Sequence, residues 1–142
     1  MNKEQAFRYI HRRKIMSVRQ EYFLKMVNKL NENSAFNYAN IRFSSNNNNF
    51  HFVERFGDRK LDIKKVLPIY YKFILRHRCE IIYYCYLDNA ATRLELEYDN
   101  MILGLSLNNK SLAFRTIIDK WTNRKDGQIP IFRISNQTKY YE

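Results

Sequence analysis

Glycine is scarce in this 142-residue sequence, three in all, and proline occurs only twice. So little glycine leaves no phosphate-cradling loop: neither GxxxxGK[ST] nor GxGxxG is present. Few Gly and Pro beside eleven Tyr and ten Phe also exclude a low-complexity chain and describe an ordered globule. The two cysteines, Cys79 and Cys85, come with no CxxC pair and no histidine cluster, which argues against a zinc site. If EIIYYCYL is a strand, they lie roughly 20 Å apart along it, too far for a disulfide. They are expected as reduced, packed thiols. His11, His51 and His77 are singletons, and no serine or cysteine sits in a nucleophile setting. No run of 18 apolar residues exists, so no membrane span is expected. The opening MNKEQAFRYIHRRK lacks the continuous apolar stretch of a secretory signal. The expectation is a cytoplasmic protein without cofactor or metal, in a host cytoplasm if the chain is viral or phage-encoded.

Acidic residues are the other shortage. Twenty-five Lys and Arg face fourteen Asp and Glu, for a formal net charge of +11. The excess is uneven: residues 1–30 carry eight cations against two anions, whereas residues 81–109 carry one against four. Charge gathered in this way suggests a polyanionic partner more than mere solubility. The abundance of Asn, Ile, Lys, Tyr and Phe matches AT-rich coding, common in phages, viruses and mobile elements.

At this length one domain, residues 1–142, accounts for the whole chain. On a helical wheel the apolar residues of the opening do not keep one stripe. Phe7, Ile10 and Val18 lie more than a quarter-turn from Phe23, Met26, Val27 and Leu30. Ser17 and Gln20 match a capping box, so the spacing predicts helix 3–15, a break, then helix 18–31. One long helix held by different neighbours at each end is the alternative. AFNYANIRF and NFHFVERF, rich in aromatic and β-branched residues around SSNNN, predict a hairpin. LDIKKVLPIYYKFILRHR predicts a helix capped by Asp62, with Pro68 a kink or a fresh start. EIIYYCYL predicts a buried strand, LDNAAT a turn, and RLELEYD and MILGLSL two more strands. KSLAFRTIIDKW predicts a helix capped by Asn108 or Asn109. RKDGQ reads as a turn, and IPIFRIS as an edge strand, because Pro130 lacks an amide proton. The expected order is α-α-β-β-α-β-β-β-α-β: an α+β fold on a largely antiparallel sheet.

Four constellations could carry chemistry. In RYIHRRKIMSVRQEYF, Arg8, Arg12 and Arg19 project within about 40° of one another, with His11 near the arc and Arg13 and Lys14 beside it. Guanidinium forks match phosphate oxygens, and no acid interrupts residues 8–19. A solvated helix face is the plain alternative. Arg76, His77 and Arg78 end the middle helix, where cations offset its partial negative charge. If that end lies beside the first helix, the two merge into one basic groove. Phe36, Tyr38, Phe43, Phe50, Phe52 and Phe56 could stack bases, but alternation on a hairpin more often means core. Glu95, Glu97 and Asp99 would share one strand face, where carboxylates can hold Mg²⁺; no lysine follows either glutamate by two residues, and an exposed face is the simpler reading. Asp58, Asp62 and Lys64 are spaced too tightly for a nuclease pattern.

The functional expectation is a small basic protein that binds nucleic acid, DNA or RNA, through phosphate contacts. Arg8, His11, Arg12, Arg13, Lys14 and Arg19 carry the main site, and Arg76 and Arg78 a secondary one. The rival is a viral or phage interaction or inhibitor protein, whose cations engage an acidic or nucleic-acid-binding host protein. A Mg²⁺-dependent nuclease is the third reading, and a homodimer joined through the acidic stripe is a further option.

Overall fold

A computed structural model describes residues 2–45, 50–87, 93–118 and 131–136. Its elements are α1 (Lys3–Glu32), α2 (Ser34–Tyr38), β1 (Arg42–Phe43), α3 (Phe50–Asp58), α4 (Ile63–Arg76), α5 (Arg78–Tyr86), β2 (Arg93–Tyr98), β3 (Met101–Asn108), β4 (Ser111–Ile118) and β5 (Ile131–Ser135). The class is α+β. Helices come first and the sheet closes the chain, in the strand order β1-β4-β3-β2-β5. The β2–β3 and β3–β4 pairs are antiparallel, and the flanking β1–β4 and β2–β5 pairs are parallel.

Within that class four local expectations give way. The first is the broken opening helix: α1 runs unbroken for 30 residues. It contains neither Gly nor Pro, and its capping box is at Asn2 and Gln5, not at Ser17 and Gln20. The changing stripe did not require a break, because Phe7, Ile10 and Val18 are simply exposed. The second is the hairpin. AFNY is helical in α2, and Phe52, Val53 and Phe56 point inward from α3 at helical spacing. The third is the strand EIIYYCYL, which is α5. A short apolar run does not distinguish strand from helix, and here Ile81 and Cys85 face the core while Tyr83 and Tyr86 face out. The cysteine separation argued from a strand falls with it: both thiols are free, Cys85 buried and Cys79 exposed.

The fourth is the helix at KSLAFRTIIDKW, which is strand β4 as far as it is described. Leu105 pairs with Phe114 and Gly104 with Thr116, leaving Arg115 as the extra residue of a β-bulge. That insertion turns the inward series into Leu112, Phe114 and Ile117, which imitates helical spacing. Asn109 is a turn residue with φ 57°, not a helix cap. The β2–β3 hairpin turns through Asp99 and Asn100, both with positive φ, as a two-residue loop of type I′ requires. Among the described residues β5 is an edge strand, as expected, pairing with β2 alone. The loop at 46–49, the turns at 88–92 and 124–128, residues 119–121 and Pro130 lie outside the described residues.

Six phenylalanines join the helices to the sheet. Phe114 of β4 meets Phe23 at 5.4 Å, Phe52 at 5.3 Å and Phe43 at 6.0 Å between ring centroids. Phe36 and Phe56 extend the cluster at 5.1 and 5.3 Å. Four of the six aromatics proposed above for base stacking, Phe36, Phe43, Phe52 and Phe56, are therefore core; Tyr38 is exposed, and the Phe50 side chain lies outside the description. α1 also closes the sheet's free edge. The Asn31 amide donates to the Phe43 carbonyl at 2.9 Å and accepts from the Phe43 N–H at 2.8 Å. Those are the backbone groups that β4 leaves unpaired.

Candidate nucleic-acid interface

α1 has two environments. At 1.5 Å per residue it is about 45 Å long. Its only buried side chains are Phe23, Met26, Val27 and Leu30. Residues 7–14 are all exposed, so Arg8, His11, Arg12, Arg13 and Lys14 stand in solvent. The expected arc is present: Arg8, Arg12 and Arg19 lie on the side that, two turns further on, faces the core. Arg8, Arg12, Arg13 and Lys14 make no ion pair among the described residues. Arg13 packs on Tyr9, its guanidinium carbon 5.6 Å from the ring centroid, and donates to the Tyr9 hydroxyl at 3.4 Å.

Arg19 differs. It is half-buried against α3, and a Cβ on Gly57 would come to 2.5 Å from its Nη1. A side chain there would have to displace only the flexible end of Arg19. Arg12, Arg19 and Met16 share a hollow of 560 Å³ with Glu54, Gly57 and Asp58. No carboxylate there comes within ion-pair distance of either arginine, yet the two acids temper the positive potential on that flank. A second open groove beside it runs along Tyr9, Arg12, Arg13, Met16, Ser17, Gln20 and His51.

The second cationic cluster does not join the first. Lys64 at the start of α4 lies over Tyr22, and Lys29 near the end of α1 lies over Tyr71, so the two helices run in the same direction. α4 therefore ends roughly 30 Å beyond Arg12 along the shared axis. Arg78 donates to the Leu75 carbonyl at 2.8 Å, closing the C-terminus of α4, and Arg76 is exposed in its last turn. His77 is buried, 3.2 Å from Glu80 and packed on Phe73.

The acidic stripe dissolves. Glu95 is fully buried, not on an exposed face. It accepts from Arg133 at 2.7 Å and lies 3.5 Å from Arg93, whose side chain crosses Gly104. Asp99 belongs to the hairpin turn and accepts from the Asn136 amide at 3.2 Å. Asp62 accepts from the Lys64 N–H as the cap of α4. Among the described residues no three His, Cys, Asp or Glu side chains are grouped to hold a metal ion, and no helix is long and apolar enough to cross a membrane.

One region escaped sequence reasoning. Tyr22, Lys25, Met26 and Lys29 of α1 face Ile63, Lys64, Leu67, Pro68 and Tyr71 of α4 across a cleft of about 270 Å³. Its lining is basic and aromatic without an acid. The signal was present as cations and tyrosines in separate segments, but only the parallel packing of α1 on α4 assembles them. Comparison with known proteins adds no analogy: no family model, curated protein or solved structure matches the chain.

Proposed function

We propose that this protein binds nucleic acid, chiefly through phosphate contacts made by the exposed half of α1. One observation carries the reading: Arg8, Arg12, Arg13 and Lys14 stand on one helical segment, in solvent, with no ion pair among the described residues. A helix serving only solubility would mix in acids; residues 8–19 hold none. Phosphates binding there release condensed counterions, which supplies affinity without base readout. His11 lies beside the same arc. Arg19 contributes field more than contact, because it packs against α3. Arg76 and Arg78 belong to the far end and are left out of the main surface.

The test is fluorescence anisotropy of a labelled oligonucleotide across a salt series. Four to five phosphate contacts predict a log–log slope of roughly −3 to −5. Reversing Arg8, Arg12, Arg13 and Lys14 to Glu should remove measurable binding and leave the melting temperature within about 2 °C, since none of the four is buried. Wild-type affinity in that variant ends the proposal. Arg19 is kept out of the variant because a glutamate there would sit between Glu54 and Asp58.

A second reading has its own observation. Phe7 is 72% exposed, Ile10 51% and Val18 45%, on the side of α1 away from Arg12. Apolar residues left open on a basic helix suit an acidic protein surface, the chemistry of an interaction or inhibitor protein. That reading requires Phe7→Ser with Ile10→Ser to lose a partner from nuclease-treated lysate while oligonucleotide affinity stays unchanged.

A further inference from the structure

We infer that the cleft between α1 and α4 takes an unpaired base, so that the nucleic acid bound is single-stranded. The inference rests on the reading above and narrows its substrate class.

The buried part of the cleft lining is apolar, formed by Met26, Ile63 and Leu67, with the exposed Pro68 beside them, and tyrosines bound it at both ends. Tyr22 stands on α1 and Tyr71 on α4. Each ring is paired with a cation of the opposite helix: Lys64 Nζ lies 5.4 Å from the Tyr22 centroid and Lys29 Nζ 5.9 Å from that of Tyr71. Lys25 is the third cation of the lining, and no carboxylate belongs to it. Each ammonium lies over its ring, so a nucleotide binds by drawing the lysine to its phosphate while its base takes the ring face.

Pro68 also interrupts the hydrogen bonding of α4 beside the cleft. It lies inside α4 and has no N–H, so the Lys64 carbonyl lacks its i+4 donor. At about 270 Å³ the space is below the roughly 300–1,000 Å³ of drug-sized ligand sites, so it suits a small group such as one base better than a larger ligand. Bases stacked inside a duplex cannot enter it; those of a single strand can.

The cleft also continues the cationic surface. At 100° per residue, Arg8, His11, Val18, Tyr22, Lys25 and Lys29 fall within an arc of about 100° on α1. A strand whose phosphates meet Arg8 and His11 therefore lies on the side of α1 that carries Tyr22, whereas Arg12, Arg13 and Lys14 fall outside that arc.

The experiment compares a 12-nucleotide oligo-dT with a 12-base-pair duplex, both labelled, at one salt concentration. The wild type should bind the single strand roughly tenfold tighter. Tyr22→Leu with Tyr71→Leu should reduce that affinity to the duplex value without changing duplex binding, and Tyr22→Phe with Tyr71→Phe should keep the preference. Equal binding of the two probes by the wild type, or a preference that survives in the Leu pair, overturns the cleft while leaving phosphate binding intact. Binding of neither probe removes both readings. Photocrosslinking the wild type to bromouridine-substituted single strand needs no variant: adducts at Tyr22 or Tyr71 support the inference, and adducts confined to other residues overturn it.

Discussion

The two halves of α1 share one backbone and are both rich in cations, yet their surroundings differ. Residues 20–32 send Phe23, Met26, Val27 and Leu30 into the core and use Asn31 to close the edge of β1. Residues 3–14 bury nothing. The same contrast appears in the arginines. Where the body is packed, Arg93 and Arg133 are committed to Glu95, and Arg19 lies over Gly57. On the exposed half, the guanidinium groups of Arg8 and Arg12 meet no carboxylate within ion-pair distance among the described residues. Continuity of secondary structure therefore says little about shared purpose. The helix is long because nothing in its sequence breaks it, and what each turn does depends on what lies opposite.

The sharpest way to break that contrast is to remove one aromatic from each half. Phe23→Ala removes the ring by which α1 joins the phenylalanine cluster and should cost about 3–5 kcal/mol in urea unfolding. Phe7→Ala should fall within about 0.5 kcal/mol of wild type. Similar losses from both would mean that the first half is packed after all. A smaller effect tests whether the arginines of the body are committed. Glu95→Gln keeps the shape and removes the charge that two guanidinium groups satisfy, and should lower stability by about 1–3 kcal/mol. An unchanged unfolding midpoint would return Glu95 to the list of available carboxylates.

The smallest effect concerns Tyr70, a fully buried phenol of α4 whose hydroxyl has no hydrogen-bond partner among the described residues. Burial, and then the charge of Glu97, raise its pKa well above the ordinary value near 10. The fold thus favours the neutral phenol, so its stabilising contribution is complete below pH 10 and declines as pH rises past that value. Tyr70→Phe should be neutral or slightly stabilising at pH 7, by about 1 kcal/mol at most. It should also flatten the fall in melting temperature between pH 9.5 and 11. A steeper fall in the variant would reverse the assigned sign.

Much of the candidate surface was legible in advance, because charge and helical phase are properties of a local stretch. The basic arc from Arg8 to Arg19 follows from spacing alone, as do the Asp62 cap, the β2 and β3 strands and the edge position of β5. The misread elements share a cause. EIIYYCYL and NFHFVERF hold apolar runs too short for periodicity to decide, and their neighbours decided instead. In β4 a single inserted residue, Arg115, disguised a two-residue period. In RLELEYD alternation correctly gave a strand but not its surroundings, because Arg133, which satisfies Glu95, comes from a strand 38 positions later.

By itself the sequence determined the α+β class, the net charge of +11 and the acid-free cationic stretch, since composition, charge and local phase need no partner to be defined. Only the tertiary structure decided which arginines stay open, that Glu95 is enclosed, and that Tyr22 and Tyr71 face one cleft. Each of these depends on groups distant in the chain meeting in space, and close packing, not local preference, chooses those meetings.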